Sequence, residues 1–306
     1  MIILDTCPVC GSAHIQSVFD VKDYTVSQEI FPVFHCGNCT ARFTNNVPGE
    51  QEIGAYYKSE DYISHTETSK GFINSVYHSV RRRTLQQKKL LIKNMTGKEI
   101  GTLLDLGCGT GAFLQVMQEA KWKVKGLEPD PDARQIAAAR GLDVSATTQF
   151  FHLPPASFDV VTLWHVLEHV HQLHPYMEQL KNILKPDGWL VIAVPNYTSG
   201  DAQRYGKTWA AYDVPRHLYH FSPQSMKTLV QQHGLTVTDI RPMWFDSFYV
   251  SMLSEKYRNA GNLGLVNALW SGAMSNLGAA RATSHCSSLI DLIRKTTSVP
   301  AFPLLF

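Results

Sequence analysis

Gly107-Cys108-Gly109-Thr110-Gly111 follows the apolar run Thr102-Leu-Leu-Asp-Leu106 and leads into Ala112-Phe-Leu-Gln-Val-Met-Gln-Glu-Ala120, whose apolar spacing is helical. A strand, a glycine turn and a helix start in this order bring the backbone close to a ligand and offer unpaired N–H groups to an anionic group. The G-x-G-x-G spacing is one residue shorter than the G-x-G-x-x-G that seats a dinucleotide pyrophosphate, which argues against NAD. About twenty residues beyond the first glycine, where an acid on ribose hydroxyls is expected, the chain reads Val124-Lys-Gly-Leu-Glu128-Pro-Asp130.

A second group of chemistry-bearing residues lies near the N-terminus. Cys7-Pro-Val-Cys10 and Cys36-Gly-Asn-Cys39 are two C-x-x-C knuckles joined by a linker that can form a short β-hairpin. Two thiolates on one tight turn can face the same ion, and two such turns complete a tetrahedral S₄ site for zinc. Gly11 and Gly37 suit these turns. A closed four-cysteine site leaves no open position, so the metal is expected to hold the fold and do no chemistry.

Ligands of open α/β sheets bind at the carboxyl ends of the strands, which directs attention to the residues just after each strand. Trp164-His165-Val-Leu-Glu168-His169 supplies an aromatic wall and three titratable groups at that edge, with His165 the first candidate base because histidine titrates near neutrality. Glu168 and His169 are expected to open a helix, and His171 and His174 to lie exposed on it. The next strand leads into a long loop, from Asn196-Tyr197 to Ser222, that contains Arg204, Tyr205, Trp209, Tyr212, Asp213, Arg216, His217, Tyr219 and His220. A loop of this length and aromatic content is expected to be functional. The reading assigns it the acceptor pocket, with Tyr197, Trp209 and Arg216 as substrate contacts and His217 or His220 as rival bases. The competing reading is that Asp213, Arg216 and the histidines tie the loop to itself.

With these residues on the page, the chain resembles a class I S-adenosylmethionine-dependent methyltransferase. Asp105-Leu-Gly-Cys-Gly-Thr-Gly111 matches the family's first motif and Glu128 its ribose acid. Phe158-Asp-Val-Val-Thr-Leu-Trp-His-Val-Leu-Glu-His169, Leu184-Lys-Pro-Asp-Gly188 and Val194-Pro-Asn196 continue the pattern in order. The resemblance covers about two thirds of the chain. It implies S-adenosylmethionine as cofactor, held by Asp105, Gly107, Gly109, Gly111 and Glu128, with Trp164 against its methionine part. Many members place an acid for the adenine amine after the third strand. Here the run is Ala146-Thr-Thr-Gln149-Phe-Phe151, and Gln149 or a backbone carbonyl takes that place. The layout is similar to zinc-containing deoxysugar C-methyltransferases and to the quinone O-methyltransferase-like group, which implies a small-molecule acceptor methylated on O or C. An RNA methyltransferase using the ribbon to bind RNA is the second reading. A non-catalytic binding module on the same fold is the third, and the intact glycine loop with Glu128 opposes it.

The elements that must position these residues follow from periodicity. From Thr102 onward strands and helices alternate, so the fold class is α/β: a Rossmann-like seven-stranded sheet with helices on both faces. The resemblance implies that the last strand runs antiparallel between its neighbours. The expected strands are Thr102–Leu106, Val124–Glu128, Leu142–Ala146, Phe158–His165, Trp189–Pro195, Thr236–Arg241 and Ser287–Arg294. A small zinc-ribbon-like module is expected over 1–48, a helical pre-domain or lid over 49–98, and the cofactor domain over 99–306 with a helical insertion at about 245–284. Tyr62 and His65 in the pre-domain are expected to touch substrate. Its Arg81-Arg82-Arg83 and Lys88-Lys89, interleaved with leucines, read as the solvated face of an amphipathic helix.

Composition sets the outer bounds. The 306 residues are 44% hydrophobic and 18% charged with a net charge of +2, which gives no global argument for nucleic acid or an anionic membrane. No apolar run reaches the ~18 residues of a spanning helix. The first residues lack the basic segment and apolar core of a signal peptide, so a cytoplasmic location without membrane attachment is expected. Oligomeric state is left open.

Overall fold

The structure, a computed structural model, describes residues 1–58, 72–243, 246–258 and 286–296, with backbone only at 72–80 and 246. Tyr62, His65 and most of the 245–284 insertion lie outside the described residues.

The chain opens with β1 (Ile15–Lys22), β2 (Ile30–Cys36) and β3 (Arg42–Thr44). A 3₁₀ turn at Ile53–Tyr57 and helix α1 (Phe72–Thr96) follow. The alternating region holds β4 (Thr102–Leu106), α2 (Ala112–Glu119), β5 (Lys123–Leu127), α3 (Pro131–Ala139) and β6 (Val144–Ser145). Next come β7 (Phe158–Trp164), α4 (Leu173–Ile183), β8 (Leu184–Pro195) and α5 (Gly200–Tyr205). The remainder is β9 (Tyr219–His220), α6 (Pro223–Gln232), β10 (Leu235–Pro242), α7 (Asp246–Tyr257) and β11 (Ser288–Lys295).

Seven strands form one sheet in the order β10-β11-β8-β7-β4-β5-β6. The five strands from β8 to β6 are parallel, and β11 runs antiparallel to both β8 and β10. The seven-stranded Rossmann-like expectation therefore holds, including the reversed last strand. β7 is buried along nearly its whole length, as a parallel strand covered on both faces must be. The order reverses at β4, which has β5 on one side and β7 on the other, so the crevice at its carboxyl end is the topological switch point where such sheets bind ligands.

Local signals place the helices. Asp130 caps α3 by accepting from the Asp132 amide at 3.0 Å, with Pro131 at the first helical position and Gly141 in the left-handed region after its end. Ser222 and Ser225 form a reciprocal capping box on α6. At the amino end of the sheet Asp159 gathers Lys98, Lys185 at 2.7 Å, and the Thr102 amide and hydroxyl, both at 2.8 Å. Two strands differ from expectation. The third shrinks to two edge residues, Val144–Ser145. β8 instead begins five residues early, at Leu184, because Gly188 lets its backbone pass the Phe158 carbonyl, which a Cβ would meet at 3.0 Å.

The N-terminal strands pack against the same core as this sheet. Their four-stranded antiparallel sheet has the order β1-β2-β3-β9, and β9 comes from the long loop after β8. Cys7, Val9, Cys36, Cys39 and Phe43 belong to the same buried cluster as Leu104, Leu106, Leu163, Leu190 and Phe221. His171 and His174, expected to lie exposed on a helix, instead hold the ribbon: His171 Nε2 lies 3.1 Å from the Pro48 carbonyl, and His174 Nε2 lies 3.1 Å from that of Pro8. Among the described residues no helix is long and apolar enough to cross a membrane.

Candidate functional site

The glycine turn leaves β4 with Gly107, Gly109 and Gly111 all in the left-handed region, at φ of 66°, 53° and 79°. Their surroundings differ. A Cβ on Gly107 would lie 2.6 Å from Val166, and one on Gly111 would lie 2.3 Å from Leu142, so these two glycines allow close packing. A Cβ on Gly109 meets nothing within 4 Å, so this face of the turn is open.

Glu128, at the end of β5, is buried beside that opening. Its Oε2 accepts from the Gly109 amide at 2.8 Å and its Oε1 from the Asp130 amide at 3.0 Å. Burial raises its pKa, opposed by those two amides. Asp105 on β4 accepts from the Thr162 hydroxyl at 2.6 Å, and burial pushes its carboxyl up to about 7. The first-motif acid and the ribose-acid candidate thus flank the loop. Gln149 lies exposed on the 3₁₀ turn Thr147–His152, at the edge of the sheet beyond β6.

Trp164 ends β7, half-buried, and packs edge-on against Phe113 with ring centroids 5.7 Å apart. Over its face sits Lys88 Nζ, 4.0 Å from the ring centroid, close enough for its charge also to act on Asp105. Lys88 was read as part of a solvated basic face. The structure brings it from α1 to the cofactor edge, while Arg82 and Arg83 stay exposed. Helical phase could have separated these residues, since three consecutive arginines point in different directions.

After Trp164 the chain turns at His165 in the left-handed region, at φ 57°, an uncommon conformation for a residue with a side chain. Its amide donates to the Ala193 carbonyl at 2.9 Å, and its ring Nδ1 lies 3.4 Å from Glu168 Oε1. The expected helix start at Glu168 and His169 is a short 3₁₀ turn, Leu167–His169, and Glu168 is completely buried. Burial opposes its charge, yet the surrounding imidazoles, His165 foremost, hold its pKa below the usual glutamate value. His169 and His217 pack edge to face beside it with ring centroids 4.6 Å apart. Desolvation and the neighbouring His217 lower the pKa of the half-buried His169 to about 4, so it is neutral at pH 7.

The loop residues divide into two sets. His217 joins the Glu168–His169 cluster. Arg216, expected to hold an anionic substrate group, is 1% exposed and spends its guanidinium internally. It donates to Asp213 at 2.7 Å, Asp23 at 2.9 Å and the Tyr56 carbonyl at 2.8 Å, which binds the loop to the β1–β2 turn and the 3₁₀ turn before α1. Trp209, the other large candidate for substrate contact, is also 1% exposed and packs against Tyr212. Tyr197 donates its hydroxyl to the Thr40 carbonyl and lies under the Arg42 guanidinium, 4.3 Å from ring centroid to Cζ. His220, in β9, is buried with Nε2 3.1 Å from the Thr44 hydroxyl, and burial holds it neutral. All four side chains are buried in the packed loop. Their signal in the sequence was composition, which cannot tell a pocket lining from a packed loop.

The four N-terminal cysteines converge. Cys7 and Cys39 sulfurs are 3.6 Å apart, as are those of Cys10 and Cys36, and all four lie within 4.8 Å of one another. Four sulfurs at about 2.3 Å from one zinc would be about 3.8 Å apart, so the residues fit the ion. Gly11 takes a positive φ of 73°, whereas Gly37 is required by packing, since a Cβ there would meet the His14 ring at 2.7 Å.

Residues 77–240 match a family model described as a methyltransferase domain. Among curated proteins, the ubiquinone biosynthesis O-methyltransferase of Paraburkholderia xenovorans is 31% identical over 165 residues, which is 48% of this chain and 68% of that protein. The enzyme of the same name from Paraburkholderia phymatum is 26% identical over 170 residues, covering 50% of this chain and 71% of that one. Among solved structures, the 1,6-didemethyltoxoflavin-N1-methyltransferase of Burkholderia thailandensis, crystallised with S-adenosylhomocysteine, superposes with a TM-score of 0.51 at 16% identity. The alignment covers 86% of this chain and 99% of that one, and at this identity the likeness concerns the fold.

Proposed function

We propose, from the premise that this chain belongs to the methyltransferase-domain family and is an S-adenosylmethionine-dependent methyltransferase, that it methylates a hydroxyl oxygen of a small molecule of the quinone-precursor class. The observation that carries the cofactor assignment is Glu128 hydrogen-bonded to the amide of Gly109, the glycine of the three in the turn whose Cβ position is open. In this reading Glu128 binds the ribose hydroxyls and the turn from Gly107 to Gly111 approaches the cofactor's backbone-facing side. Asp105 orders the loop from below, and Gln149 lies on the adenine side. Trp164 borders the methionine part, with Lys88 placed to pair with its carboxylate. The cofactor supplies a sulfonium methyl, which an oxygen nucleophile accepts by in-line displacement.

For the acceptor the chain's own contribution is position and a proton path. His165 stands at the carboxyl edge of β7 on a left-handed turn, half-exposed toward the site, with Glu168 behind its ring. In this reading it meets the acceptor hydroxyl, and His217 lies deeper in the same cluster. The O-methyltransferase relatives support oxygen as the acceptor atom. The four cysteines hold a structural zinc in this reading and take no part in transfer.

The test is S-adenosylhomocysteine release on a panel of hydroxylated aromatic acceptors. His165→Ala is expected to lower turnover by roughly 10²–10⁴-fold while cofactor affinity stays within a few-fold. Unchanged turnover on an accepted substrate removes His165 from the proton path.

A further inference from the structure

Glu168 is completely buried, and neither carboxylate oxygen has a hydrogen-bond partner among the described residues. A carboxylate in that position is costly unless a cation or several donors meet it. His165 Nδ1 lies 3.4 Å from its Oε1. The donor atoms of Glu168, His169 and His217 lie within 4.8 Å of one another. Donors on one ion at 2.0–2.2 Å are at most about 4.4 Å apart, so the group needs only a small inward movement to share an ion.

The two imidazoles are already held as metal ligands are held. His169 Nδ1 lies 3.0 Å from the Arg216 carbonyl, and His217 Nδ1 lies 2.9 Å from the Ala211 carbonyl. A carbonyl only accepts, so each Nδ1 carries the proton, with the Tyr57 hydroxyl oxygen also 3.0 Å from Nδ1 of His169. Each ring is thereby left with an Nε2 lone pair as its remaining donor, the tautomer that outer hydrogen bonds select around bound metals. The two segments are also pinned to each other, because the Leu218 amide donates to the Glu168 carbonyl at 2.8 Å.

We propose that Glu168, His169 and His217 bind a divalent cation of borderline softness, such as zinc, at the acceptor side of the cofactor crevice. Three protein ligands of this N₂O type leave positions open, which is the arrangement of a catalytic rather than a structural site. The role follows from the methyl-transfer reading; the binding does not depend on it. An acceptor hydroxyl on an open position would ionise at lower pH, its proton passing to His165. The oxygen lone pair then forms the O–C bond as the C–S bond breaks and its electron pair returns to sulfur. The products are the methyl ether and S-adenosylhomocysteine.

The full chain, with its cysteine site first filled with zinc, is titrated with cobalt(II) and followed by absorption and by metal content. We expect one further equivalent per chain that shows ligand-field bands without sulfur-to-metal charge transfer. We expect it to bind at least tenfold more weakly in Glu168→Gln and in His217→Ala, with the cysteine-bound zinc retained in both. S-adenosylhomocysteine affinity, measured in the same samples, reports the methyl-transfer reading separately and should stay within a few-fold. Metal content that stops at the cysteine site, or a second equivalent that both variants bind as wild type does, overturns the cation site.

Discussion

Glu128 and Gly109, on two adjacent strand ends, are joined by a hydrogen bond of 2.8 Å from the glycine amide to the carboxylate. The bond fixes the acid against the loop that it works with. Because each Glu128 oxygen accepts only one backbone amide, each keeps a lone pair for a ribose hydroxyl. Glu128→Ala should therefore weaken S-adenosylhomocysteine binding by about 1.5–3 kcal/mol, the range for hydrogen bonds to a charged group. Calorimetry on the variant decides this, and wild-type affinity would remove the ribose role.

The three glycines should separate by readout. Gly111→Ala places a methyl 2.3 Å from Leu142 at φ 79° and should lower stability by at least about 1–2 kcal/mol, visible in urea unfolding. Gly109→Ala meets no neighbour, so its loss should appear chiefly in cofactor affinity beyond the backbone cost. Equal effects of the two on stability and affinity would contradict the different roles.

The sharing of one buried cluster by Cys36, Cys39, Leu163 and Phe221 ties the ribbon to the whole molecule. Removing the proposed zinc with a chelator, or replacing Cys36 by Ser, should lower the melting temperature of the entire chain in one transition. An early, separate transition that leaves the main one unchanged would show the ribbon to be energetically independent.

Asp23 supplies the acid test. Burial would raise its pKa, but the Arg216 guanidinium and the turn amides of Thr25 and Ser27 outweigh this and hold it below the usual aspartate range. The stability it adds is present above the unfolded pKa of about 3.9 and is lost as pH falls from there toward the folded value. Asp23→Asn should cost about 3 kcal/mol at pH 7, because it leaves a buried guanidinium partly uncompensated. It should also flatten the stability loss between about pH 4 and pH 2. A variant with the wild-type acid limb would show that other carboxylates govern it.

What was legible in the sequence was whatever depends on local order. The glycine turn, Glu128, the capped helices around Pro131 and Pro223, and the alternation of strands all follow from spacing and periodicity. The cysteine knuckles were legible because metal geometry restricts spacing. The tie from Arg216 to Asp213 follows the competing reading of the loop, whereas its bonds to Asp23 and Tyr56 were not legible, since those partners lie far away in the chain and only the fold brings them to it. The same holds for His171 and His174, which meet backbone carbonyls of the ribbon; Lys88, by contrast, was separable from its neighbours by helix phase. Glu168 looked like a helix-start acid because sequence does not report burial.

The most direct measurement is a calorimetric titration of the zinc-loaded full chain with S-adenosylhomocysteine, paired with thermal unfolding. We expect one saturable site per chain and, at a hundred times the dissociation constant, about 2.7 kcal/mol of added stability. No heat of binding and no stabilisation at millimolar ligand would contradict the assignment of the Gly107–Gly111 turn and Glu128 to the methyl-donor cofactor.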